Sequence, residues 1–154
     1  MNLNEHQTSN GLSLPESYVA FVHDSDGVVI RLYNDCPQEY PDFEGRRWEF
    51  QDITGLSKTI TVGGAGEEPF HSCVQLFAKL HLGFTGADYV DSNTGPIDPE
   101  RVFGGFAIAY DNGDYLYLDP FDSFSVWIFH HDGADVQFVA NDFETWLYES
   151  KPDE

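Results

Sequence analysis

Phe103-Gly104-Gly105-Phe106-Ala107-Ile108-Ala109-Tyr110-Asp111-Asn112-Gly113-Asp114-Tyr115-Leu116-Tyr117-Leu118-Asp119 is the stretch whose pattern decides the fold. Upstream of it apolar residues recur at helical spacing, and from Phe103 onward the period becomes 2. Residues 103–111 form an apolar run of strand length. Asn112-Gly113 is a dipeptide favoured in two-residue hairpin turns, where positive φ is required. Asp114 to Asp119 then alternates Tyr115 and Tyr117 against Leu116 and Leu118, as a strand does. An antiparallel hairpin is expected here. Tyr115 and Tyr117 share one of its faces, and core packing accounts for them better than a partner does.

Working outward, Val126-Trp127-Ile128-Phe129-His130 reads as a further strand, Asp132-Gly133 as a turn and Val136-Gln137-Phe138-Val139 as a short strand. Asn141 is the expected cap of a closing helix whose first turn, Asp142-Phe143-Glu144, is acidic and whose Phe143, Trp146 and Leu147 face inward. Upstream, Phe70, Cys73, Val74, Phe77 and Leu80 fall at spacings of three and four. They predict a helix that starts at Glu67-Glu68-Pro69 and ends near Leu82-Gly83. Ser13, Pro15 and Glu16 open the first helix, with Tyr18, Phe21 and Val22 on one face. Asp24-Ser25-Asp26-Gly27 ends it and leads to a strand over Val28–Tyr33. The region 34–66 is weakly patterned, with strands expected at Arg47–Phe50 and Lys58–Val62. Strands in sequence with helices at both ends predict a single α+β domain, an antiparallel sheet of about four to six strands flanked by helices. Its expected limits are a flexible N-terminus over 1–12, the domain over 13–150 and a tail over 151–154.

The 154 residues suit one core, and 41% hydrophobic and 16% aromatic content is too rich for a disordered acidic chain. Seven Lys and Arg against 27 Asp and Glu give a net charge of −20. Nine acidic residues and no Lys or Arg lie between Val102 and Ser150. Solubility alone asks for a magnitude of roughly 2 to 8. Excess charge of one sign most simply answers to a positively charged partner, although acidic proteins without one are common. The charge disfavours contact with nucleic acid and anionic membrane. No run is long and apolar enough for a spanning helix, and residues 1–10 lack the blocks of a secretory signal, so a cytoplasmic location is expected. Cys36 and Cys73 are read as reduced thiols packed as small apolar groups.

The motifs that could carry chemistry fall short. Asp24-Ser25-Asp26-Gly27 lacks the glycine and Glu spacing of a calcium loop. In His130-His131-Asp132 adjacent strand side chains should point to opposite faces. His71 and His81 would stand roughly 15 Å apart on one helix. Neither Cys sits in a nucleophile motif. Gly63-Gly64-Ala65-Gly66 lacks the Lys and Ser/Thr of a phosphate loop, and Glu67-Glu68 would repel phosphate. No catalytic residue, metal or cofactor is expected.

Leu14-Pro15 with Tyr18, Phe21 and Gly27, the hairpin from Phe103-Gly104 to Asp111, Val126-Trp127, and Ala140-Asn141-Asp142-Phe143 with Trp146-Leu147 resemble, in order and spacing, the SUKH superfamily of Smi/Knr-type proteins. The resemblance covers the two ends, roughly half the chain, and residues 34–98 match little. It implies an antiparallel sheet flanked by helices. For bacterial members it implies an immunity protein that neutralises a toxin, often a nuclease, of a polymorphic or contact-dependent system. Fungal relatives imply the alternative, a non-catalytic regulatory or scaffold module. A cognate basic toxin domain is the expected partner, met by a chain more readily read as a monomer. Asp88, Asp91, Asp119 and Asp122, with Tyr89 as a loop aromatic, are the expected partner-binding residues. Turn chemistry alone accounts for Asp111 and Asp114.

Overall fold

The computed structural model describes residues 1–153. Helix α1 (Glu16–Asp24) follows Pro15 and has no side-chain cap. Ser13, the expected cap, is held in an extended bridge with Gln7 instead. Strands β1 (Val29–Tyr33) and β2 (Arg46–Phe50) pair antiparallel, Val29 opposite Phe50 and Tyr33 opposite Arg46. A one-turn helix α2 (Ile53–Leu56) is capped by Asp52, which accepts from the Gly55 N–H at 2.8 Å. Strands β3 (Thr59–Val62) and β4 (Gly66–Pro69) form a separate hairpin.

Glu67-Glu68-Pro69 therefore ends a strand and does not begin a helix. The proline is the reason, because the residue before it is pushed toward extended backbone. Helix α3 (Cys73–Thr85) starts after a 3-10 turn over Phe70–Ser72 and runs past Gly83 to a left-handed cap at Gly86. Helix α4 (Pro99–Phe103), capped by Asp98, takes Phe103 out of the expected strand. Strands β5 (Phe106–Asp111) and β6 (Asp114–Asp119) then form the hairpin, with Asn112 and Gly113 at φ 49° and 91°. Strands β7 (Ser125–Phe129) and β8 (Val136–Ala140) and helix α5 (Phe143–Glu149) follow. The cap of α5 is Asp142, not Asn141, because its carboxylate accepts the Thr145 N–H three residues on, at 2.7 Å. Lys151–Pro152 add a last strand, β9, beside β1.

The main sheet has seven strands in the order β8-β7-β6-β5-β2-β1-β9, all antiparallel neighbours and more than expected. It curls. The Tyr33 hydroxyl on β1 donates to the Val139 carbonyl on β8 at 3.2 Å. A flat sheet would hold strands five places apart at about 24 Å. Strand β6 lies inside the sheet between β7 and β5, and all six of its residues are buried. Tyr115 packs against Phe70 and against Phe77 of α3, at ring centroids of 5.6 and 5.4 Å. On the opposite face Phe143 and Trp146 of α5 meet Phe50, and Trp146 stacks on Tyr33 at 5.0 Å. The Tyr/Leu alternation thus separates two covered faces, and Tyr115 and Tyr117 are both core. The N-terminal segment packs too, Leu3 being buried. No helix among the described residues is long and apolar enough to cross a membrane.

Candidate functional site

All four arginines are engaged within the chain. Arg31 donates to the Ser150 hydroxyl and the Leu147 carbonyl. Arg46 bridges Asp111 and Asp114 at 2.7 and 3.0 Å, and Arg47 pairs with Asp153. Arg101 holds Asp119, with Asp122 at 3.7 Å. Among the described residues the lysines make no ion pair, and Lys79 instead sits over the Phe103 ring. Among the described residues most surface carboxylates are therefore left without an internal counterion.

The expected partner-binding residues divide into two groups. Asp88, Tyr89 and Asp91 are exposed in the segment after α3. That segment is fastened along β8. Val136 N–H donates to the Asp91 carbonyl at 2.9 Å, and Ser92 bridges Val136. Asn93 clasps the Phe138 backbone from both sides, accepting at 2.8 Å and donating at 3.2 Å. Asp91 is thereby placed beside the β7–β8 turn with its own acids, exposed Asp132 and half-buried Asp135. A cleft of ≈ 180 Å³ opens there, lined among others by His81, Leu82, Tyr89, Asp91, Ala134 and Asp135. Phe84, 83% exposed at the end of α3, and Tyr89, 45% exposed, are aromatic groups facing solvent on this part of the chain.

Asp119 and Asp122 belong to the opposite end of β6, about 17 Å away along the strand. Asp119 is 2% exposed, and besides Arg101 it accepts the Phe121 N–H at 2.9 Å. Its carboxylate is committed inside the chain and is withdrawn from any partner, because the turn after β6 folds over it. Asp122 stays exposed and accepts from the Ser125 hydroxyl at 2.6 Å.

His130 and His131 do not diverge as strand neighbours would. Strand β7 stops at Phe129, and both rings converge on Asp114, through Nδ1 at 3.3 Å for His130 and 2.7 Å for His131. His130 Nε2 also meets Gln137 at 2.9 Å. Burial opposes ionisation of Asp114, but the His131 backbone and ring and Arg46 outweigh it and hold the carboxyl below its usual range. Asp114, His131 and Asp132 could offer ligand atoms within 4.8 Å of one another. Asp114 already has one oxygen on His131 and the other on Arg46, so a cation would have to displace one of them. Cys73 is buried, and that burial pushes its thiol up to about 12, far from a nucleophile's range.

The model of the SMI1 / KNR4 family (SUKH-1) matches residues 2–149. The chain belongs to the SMI1 / KNR4 family. No curated protein and no solved structure gives a significant match. Membership extends through residues 34–98, where the motifs at the two ends gave no purchase, and so takes in the Asp88–Asp91 segment of this SMI1 / KNR4 chain.

The acids of the β7–β8 turn and Phe84 escape a reading of the sequence for different reasons. Asp132 looks like turn chemistry alone. Phe84 falls just past the helix end expected near Leu82-Gly83, so no face is assigned to it. The structure carries α3 on to Thr85 and leaves Phe84 exposed in its last turn.

Proposed function

We propose that this SMI1 / KNR4 family member is a cytoplasmic immunity protein that binds a basic toxin domain, a nuclease, and neutralises it without catalysis. The observation that carries this reading is the surface formed by the segment after α3 and the β7–β8 turn. There Asp88, Asp91, Asp132 and Asp135 make no ion pair among the described residues, beside solvent-facing Tyr89. A nuclease keeps its cleft positive to hold phosphates, and a negative surface can occupy the same ground. Aromatic groups supply binding energy that desolvated ion pairs often fail to give. The excess charge speeds capture, toward roughly 10⁸–10⁹ M⁻¹ s⁻¹ at low salt.

The test is co-purification of the tagged protein with the basic toxin domain encoded beside it, at low salt and at about 0.5 M, where exposed charges are screened. Formation of a complex that protects the host cell, with slower association in high salt, supports the reading. Absence of both complex and protection returns the chain to the alternative, a regulatory interaction module of the same family.

A further inference from the structure

We infer that the cleft between the C-terminal end of α3 and the β7–β8 turn is a socket for one arginine side chain of a basic partner. This rests on the proposed function for its partner and on the cleft itself for its chemistry. At ≈ 180 Å³ the space is smaller than the roughly 300–1,000 Å³ of small-molecule sites, and it fits a single side chain. Its floor is apolar and made of small residues. Ala78 is 1% exposed, Val90 4% and Ala134 8%, which suits the aliphatic stem of a long cation.

The rim suits the charged head. Asp91 and Asp135 stand at the cleft, and neither side chain has an ion pair or hydrogen bond among the described residues. Their backbones are fixed on the two sides of the start of β8. The Asp91 carbonyl accepts from Val136, and the Asp135 carbonyl accepts from His130 at 3.0 Å. Two carboxylates on anchored backbones suit the forked donors of a guanidinium better than the point charge of an ammonium. Tyr89 also lines the cleft, half in solvent, and is an aromatic group of the kind on which a guanidinium stacks. The thirteen-residue helix α3 ends there at Thr85, so its negative pole points the same way. Apolar floor, two unpartnered carboxylates, aromatic rim and helix pole all favour the same occupant.

The experiment titrates N-acetyl-arginine amide into the isotope-labelled full chain and follows backbone and side-chain resonances, with N-acetyl-citrulline amide as the uncharged isostere. The expected result is a saturable shift at Tyr89, Ala134 and Asp135, with a Kd on the order of millimolar, as befits one side chain. Asp91→Asn with Asp135→Asn should weaken it about tenfold. The citrulline probe should leave these resonances unmoved. Shifts spread evenly over Asp122 and the other surface acids, equal response to citrulline, or no saturation would overturn the socket. Because no toxin is present, that failure would leave the immunity reading standing. Saturable arginine binding by a chain that protects against no toxin would keep the socket and remove that reading.

Discussion

Arg101 donates two N–H groups to a single oxygen of Asp119, at 2.9 Å from Nε and 2.8 Å from Nη2, while the aspartate side chain is only 3% exposed. The two partners are unequal, since the arginine side chain is 31% exposed and can hydrate if released. Arg101→Ala should therefore cost about 3 kcal/mol by orphaning a buried carboxylate. Asp119→Asn, which keeps an acceptor for Phe121 N–H, should cost about 1 kcal/mol. Burial already raises the Asp119 carboxyl, against the pull of Arg101 and of Phe121 N–H. A carboxyl raised by folding binds its proton more tightly folded than unfolded, so stability falls as pH rises from its unfolded value through its folded one. Losing Arg101 raises it further, and the Arg101→Ala deficit should be largest near neutral pH and shrink on acidification. Urea melts across pH check both the order and the slope, and equal costs for the two variants would refute the asymmetry.

Asp114 should behave in the opposite sense. Its folded carboxyl is held below the usual carboxylate range, despite burial, by His131 and Arg46. Its contribution is then present above the unfolded pKa and is lost as pH falls through the folded one. Asp114→Asn is expected to lose about 2 kcal/mol at pH 7, where it breaks bonds to His131 and Arg46. The difference from the parent should close as the medium is acidified below the ordinary carboxylate range. Denaturation midpoints that stay separated at low pH would show that shape, not charge, is what Asn fails to reproduce.

What could be read from the residues followed local chemistry. Asn112-Gly113 adopts the positive φ values its composition favours, and the strands on either side pair around it. Tyr18 with Val22, and Phe70 with Cys73 and Val74, are buried as their spacings of three and four require. What could not be read depends on distant partners. Asp119 looks like an exposed strand-end acid until α4 brings Arg101, eighteen positions away in sequence, against it. Burial on both sides of β6 is invisible in a strict alternation that also describes a half-wet strand. The fastening of residues 91–93 along β8 rests on backbone and amide bonds that no residue pattern announces.

Gly45 should resist substitution. It precedes β2 at φ 122°, and a Cβ there would run into the backbone of Tyr33, which cannot move aside without breaking the β1–β2 pairing. Gly45→Ala is expected to destabilise by at least about 2 kcal/mol, combining left-handed strain with a backbone clash. At this chain length that amounts to a fall of roughly 4–8 °C in Tm. Gly63→Ala is the control, since a Cβ there meets open space, and its melting curve should overlay the parent's.

The proposed surface makes a directional prediction about salt. Asp88, Asp91 and Asp132 are exposed and their side chains accept no hydrogen bond among the described residues. Replacing all three by Lys should leave the melting temperature unchanged or slightly higher, because it relieves self-repulsion in a chain of net charge −20. Association with the basic toxin domain should slow by about ten- to a hundredfold at low salt, and its ionic-strength dependence should flatten. Asp122→Lys, at the far end of β6, should leave both quantities close to the parent's. Stopped-flow association at several salt concentrations separates the alternatives. Equal slowing by Asp122→Lys would mean that the partner responds to overall charge. No slowing by the triple variant would place the interface elsewhere on the molecule.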